Sequence, residues 1–199
     1  MKTLLASILL SSLFVTALAS NSPEEVTAKN PTVLVVGFEK SKLVSNYYGN
    51  DFLSNEIGID QDSLHHFYFA SILENLKAQN PINFRPITDQ QDLAQFYNAY
   101  RISSDEISEI PTDVPIVDLL DTNNSDYLLY INQYEINWSG EPFNTNVHLM
   151  RYSLIDRERN EVLSEQVFFN SESLQQMFSQ KKAERRLKQL SQKIERAVK

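Results

Sequence analysis

Apolar positions along the chain alternate between two rhythms, one of strands and one of helices. Thr32 to Phe38 is apolar on both faces and rich in β-branched residues, as a strand buried in the middle of a sheet requires. Leu64, Phe67, Tyr68, Ile72 and Leu76 then recur at helical spacing, with Asp60 or Asp62 as the N-cap and Asn80-Pro81 as the stop. Asn83 to Thr88 reads as a short strand, and Pro86, which has no backbone donor, either places it at an edge or limits its pairing. Asp89 and Asp92 form a near-equivalent of the capping box ahead of Leu93, Phe96, Tyr97 and Tyr100 on a second helix. Short helical segments are expected from Ser104-Asp105-Glu106 to Pro111 and over Ile116 to Leu120, and residues 39–59 read as a loop.

The clearest period-2 signal follows. Leu128, Tyr130, Tyr134, Ile136 and Trp138 are expected on one face of a strand over Tyr127 to Trp138, with Asn132 as the exception. Ser139 to Pro142 turns the chain into a second strand, Thr145 to Asp156, and Arg157 to Asn160 turns it into a third, Glu161 to Phe169. The last 29 residues, 171–199, read as one long helix capped by Asn170 or Ser171, with Leu174, Met177, Phe178, Leu187, Leu190, Ile194 and Val198 on its apolar side. The order β-α-β-α-β-β-β-α predicts an α/β (α+β) fold with a mixed sheet, a C-terminal antiparallel meander and helices packed on the sheet. One domain over 32–199 is expected, preceded by a polar leader over 20–31.

Ahead of that leader, residues 1–19 have the three parts of a secretory signal peptide. Lys2 gives a positive start, Leu4 to Val15 an apolar stretch diluted by serines, and Ala17-Leu18-Ala19 a small-x-small cleavage pattern before Ser20. The stretch is too short and too polar for the roughly 20 apolar residues of a membrane span. The chain has no cysteine, which excludes both acylation after the signal and structural disulfides. The expectation is a protein working in the periplasm or secreted, soluble after cleavage.

Charge divides unevenly. Residues 20–170 hold 9 basic and 23 acidic residues, whereas 171–199 hold 8 basic and 3 acidic. Two readings of the basic helix stand side by side. Its cations are either solvated, or lie against the protein's own acids, with the helix macrodipole in their favour; or Lys181, Lys182, Arg185, Arg186 and Lys188 present a patch to an anionic partner. Nucleic acid is not expected as a partner, because the acidic body repels phosphate and no aromatics interleave with the cations.

Candidate chemistry is sparse. His65 and His66 are adjacent and point about 100° apart on a helix, and no HExxH spacing occurs, so no metal is expected. His148 shares a strand face with Met150, Tyr152 and Leu154 and is expected at the edge of the core. There is no nucleophile elbow, and four glycines leave no phosphate-cradling loop, so no cofactor is expected. The carboxylate pairs Asp60/Asp62 and Asp105/Glu106 admit a secreted hydrolase, but helix capping accounts for both. Tyrosines are numerous, and they suit either the core or a contact surface.

The meander carries a resemblance. Asp126 to Ile131 (DYLLYI), Val147 to Asp156 (VHLMRYSLID) and Glu161 to Leu163 form a strand opened by an aspartate, a strand closed by an aspartate turn, and a return strand. This resembles the periplasmic α/β domain shared by the curli-secretion lipoprotein, the penicillin-binding-protein activator lipoproteins and the amino-terminal domain of the Tol–Pal propeller protein. The resemblance extends over residues 32–198. It implies a non-enzymatic adaptor or assembly module whose partner is another envelope protein. The chain departs from the pattern in lacking the lipid-bearing cysteine. The leading expectation is therefore a non-catalytic accessory protein acting by protein–protein interaction. A carboxylate hydrolase and a membrane-surface binder using the basic helix are the alternatives.

Overall fold

The computed structural model describes residues 30–78, 82–103, 114–142, 144–174 and 181–199. Its elements are β1 (Thr32–Val36), β2 (Leu43–Val44), α1 (Asn50–Ile57), α2 (Leu64–Ala78), β3 (Asn83–Pro86), α3 (Gln90–Ser103), α4 (Ile116–Thr122), β4 (Tyr127–Ser139), β5 (Thr145–Ile155), β6 (Glu161–Ser171) and α5 (Lys181–Ala197). The signal peptide, nearly all of the leader and the short helix expected from Ser104 lie outside the described residues.

The six strands form one mixed sheet in the order β3-β1-β4-β5-β6, with β2 paired to the far half of β4. β3, β1 and β4 run parallel, and β4, β5 and β6 form the antiparallel meander. This is the α/β architecture expected from the element order. β3 is an edge strand, as Pro86 requires.

β1 is buried along its whole length because it serves two cores. Val33 and Val35 pack with Leu53 of α1, with Leu64, Tyr68, Ile72 and Leu76 of α2, and with Leu187, Leu190 and Ile194 of α5. Leu34 and Val36 pack on the opposite face with Phe96 of α3 and Ile116, Leu119 and Leu120 of α4. Asp89 starts α3 as expected, its Oδ1 accepting from the backbone N–H groups of Gln91 at 2.8 Å and Asp92 at 3.0 Å.

Three expectations are corrected. The face assigned to β4 is broken by a register shift between Ile131 and Gln133. Leu128 and Tyr130 pack with α3 and α4, whereas Tyr134 and Ile136 lie in the core under α2 and α5. The extra residue of a β-bulge flips the alternation, so Asn132 is its cause rather than an exception to it. The segment 39–59 is not all loop, for it holds β2 and α1. Helix α1 ends at Gly58, whose left-handed φ of 75° lets its N–H reach the carbonyl of Ser54. Finally, the C-terminal helix does not begin at 171. Asn170 and Ser171 pair with Val147 and Asn146 in the meander, and the described helix starts at Lys181. A serine bound into a ladder no longer caps a helix.

Candidate functional site

The five cations singled out in the sequence lie on the outer face of α5 and are all exposed. The opposite stripe, Ala183, Leu187, Leu190, Ser191 and Ile194, is buried. Lys182, Arg185 and Arg186 line a groove of about 400 Å³ with Phe168, Phe169, Asn170 and Gln189. Lys181 and Lys188 do not line it. Arg186 sits over the ring of Phe168 at 5.5 Å, and Phe168 is 54% exposed. Among the described residues none of the five cations makes an ion pair; Arg186 donates to Gln189 Oε1 at 3.2 Å. The neighbouring Lys193, further along α5, is paired with Glu165 of β6.

The acidic pair Asp60/Asp62 is occupied locally. Asp60 accepts from the N–H of Asp62 at 2.9 Å, and the Asp62 carboxylate pairs with Lys40, which holds its pKa below the usual value. Asp105 and Glu106 lie outside the described residues. The His65 and His66 rings lie with centroids 3.9 Å apart and planes tilted by 35°. Burial, and then the neighbouring His66, lowers the pKa of His65. No group of three or more metal-ligating side chains gathers among the described residues.

His148 is not at the core's edge but fully inside it. Its Nε2 lies 2.8 Å from Ser171 Oγ and its Nδ1 3.1 Å from Tyr134 Oη, while Phe169 stacks on the ring at 4.9 Å. Burial pushes its pKa down to about 3, so the imidazole is neutral. The serine–histidine contact has the form of a nucleophile and its base. Ser171 is nonetheless buried and lines none of the described cavities, so this chain of polar groups satisfies itself within the core.

The feature that sequence reasoning missed is an aromatic cluster at the far tip of the sheet. β2 runs beside the end of β4, so the residues after it meet Asn137 and Trp138. Asn46 N–H donates to Asn137 Oδ1 at 2.8 Å, and Tyr48 Oη donates to Asn146 Oδ1 at 2.6 Å. Tyr47 packs edge-on against Tyr48 at 4.8 Å and tilts toward Trp138 at 6.3 Å; Tyr48 stacks on Phe52 of α1 at 5.2 Å. Tyr47 is 64% exposed and Phe52 45% exposed. Rings held by one another and, at Tyr48, by a side-chain hydrogen bond, with Tyr47 and Phe52 left in water, form an amphipathic surface of the kind that partners bury. The missed signal is Gly58, which as a helix-ending glycine would have located α1 and hence Phe52 on a helix.

No protein-family model matches the chain, and no curated protein matches it significantly. Solved structures of similar fold include the PelC dodecamer from Paraburkholderia phytofirmans (11% identity, 82% of this chain and 87% of that one, TM-score 0.41). The hypothetical protein CT253 from Chlamydia trachomatis is similar at 10% identity over 85% of this chain and 98% of that one, with a TM-score of 0.48. Protein XCC0632 from Xanthomonas campestris is similar at 13% identity over 83% and 82%, with a TM-score of 0.41. At these values they are likenesses and carry no activity or partner over to this chain.

Proposed function

We propose that this protein is a non-catalytic accessory protein, exported to the periplasm or beyond, that acts in the cell envelope by binding another protein. The observation that carries the reading is the aromatic cluster at the tip of the sheet, in which half-buried Tyr48 and Trp138 hold exposed Tyr47 and Phe52. Burying such rings is favourable, and fixed rings lose little conformational entropy on binding. The signal-peptide pattern of residues 1–19 supports export, and among the described residues no helix is long and apolar enough to cross a membrane. A pull-down from envelope extract with wild type and with Tyr47→Ser/Phe52→Ser tests it. A partner retained by wild type and lost by the variant is expected; a partner held equally by both would refute the role of the tip.

A second reading is favoured by the exposed cations of α5 around exposed Phe168. Cations flanking an apolar side chain suit an anionic membrane surface. Co-sedimentation with anionic liposomes, comparing wild type with a variant neutralised at Lys181, Lys182, Arg185, Arg186 and Lys188, tests it. Equal binding would sink it.

A further inference from the structure

In an open α/β sheet, ligands favour the crevice beyond the carboxyl ends of neighbouring parallel strands whose following helices lie on opposite faces. β1 and β3 are such a pair, since the chain leaves β1 toward α2 on one face and leaves β3 toward α3 on the other. A cavity of about 350 Å³ opens there, walled by Phe38, Phe69, Ile87, Leu93 and Tyr97. Gly37, just past β1, is gripped from both sides. Any Cβ at this position would lie 2.8 Å from the Phe69 ring, and Tyr97 Oη donates to the Gly37 carbonyl at 2.7 Å. A second cavity of about 220 Å³ adjoins the first across Glu39 and Tyr97, and it is lined by Tyr100, Tyr130, Lys42 and Arg151 together with Asn132 of the bulge.

The charges here run against the rest of the body. Residues 20–170 carry only 9 basic side chains, yet Lys40, Lys42 and Arg151 all line this pair of cavities, against a single lining carboxylate, Glu39. Lys40 lines the larger cavity and is paired with Asp62, whereas Lys42 and Arg151 line the smaller one with Glu39; Arg151 donates to Gln133 Oε1 at 3.3 Å. The larger cavity supplies an apolar wall on the side of Phe69, Ile87 and Leu93, with His65, His66 and Gln90 as its polar lining, and the smaller one supplies cations and tyrosine rings.

We infer that this paired crevice binds a small amphipathic anion, a carboxylate whose apolar body fills the cavity over Phe69, Ile87 and Leu93 while its charged end reaches Lys42 and Arg151. The site is independent of the aromatic tip, because Tyr47 and Phe52 line neither cavity.

The test is calorimetric titration of the full mature chain with 2-naphthoate and with its neutral counterpart 2-naphthamide. Naphthoate is expected to bind about fivefold tighter, the size of one exposed charge contact. Lys42→Gln/Arg151→Gln, both on exposed side chains, removes that preference and leaves naphthamide binding unchanged. Leu93→Trp fills the larger cavity and abolishes binding of both probes, whereas Lys182→Gln/Arg185→Gln/Arg186→Gln on α5 changes neither. Absence of saturable naphthoate binding would overturn the inference. So would equal affinity for the two probes, or a naphthoate affinity that survives Lys42→Gln/Arg151→Gln or falls in the α5 variant.

Discussion

The two halves of the sheet are clad differently. In the parallel half, β3, β1 and the start of β4 lie between two helical layers, α1, α2 and α5 on one face and α3 and α4 on the other. In the antiparallel half, the rest of β4 with β5 and β6, one face is covered by α2 and α5 and the other carries half-exposed or exposed Gln133, Glu135, Leu149, Arg151, Gln166 and Phe168. The bulge at Asn132 lies where one regime gives way to the other. The parallel half is built as a core, and the antiparallel half has one face to spare. Surface that a fold does not need for stability is surface free to be used in contact.

Truncations should expose that difference most strongly. Leu34→Ala, in the doubly clad half, is expected to cost about 2–5 kcal/mol in denaturant unfolding. Leu149→Ala, on the open face, is expected to cost less than about 1 kcal/mol. Equal losses would mean that the open face is not open.

Acid should weaken the antiparallel half next. His148 is neutral in the fold with a pKa of about 3, whereas in the unfolded chain it titrates near the ordinary 6.5. Between those values the unfolded chain takes up a proton that the folded one refuses. Its contribution is therefore complete above about pH 6.5 and is lost as pH falls, reaching about 2 kcal/mol by pH 5 and levelling off near pH 3. His148→Gln should flatten that part of the stability profile measured by urea unfolding at stepped pH; an unchanged slope would remove His148 as its source.

Smaller still is the effect expected of Tyr134→Phe, which takes one hydrogen-bond partner from the His148 ring and should cost about 1 kcal/mol. Phe168→Ala, on an edge strand under Arg186, should change thermal stability by no more than about 0.5 kcal/mol. A loss the size of the Leu34 effect would show that Phe168 belongs to the core.

Much of this architecture is legible in the sequence. Thr32 to Phe38 reads as a central strand because both its faces are apolar, and Pro86 announces an edge because it cannot donate. What escapes reading depends on events that leave little trace in periodicity. One polar residue, Asn132, shifts a strand by one place and sends Tyr134 to the face opposite Tyr130. α1 buries only Leu53 and is preceded by Gly49, which offers no side-chain cap, so its pattern is faint. Asn170 and Ser171 have the chemistry of a helix cap, and only their pairing with β5 reveals a strand. The basic face of α5 was visible as composition, but its groove needed Phe168 from another strand. The aromatic tip was hidden for the same reason, since Tyr47 and Trp138 meet only after β2 pairs with β4.

The most direct test of the contact reading is site-specific photocrosslinking in the native envelope, with benzoylphenylalanine placed at Tyr47 and, as control, at Val117, which is 40% exposed on α4. A discrete protein adduct from position 47 and none from position 117 is the predicted result. No adduct from position 47, or the same adducts from both positions, would contradict the assignment of the aromatic tip as the contact surface.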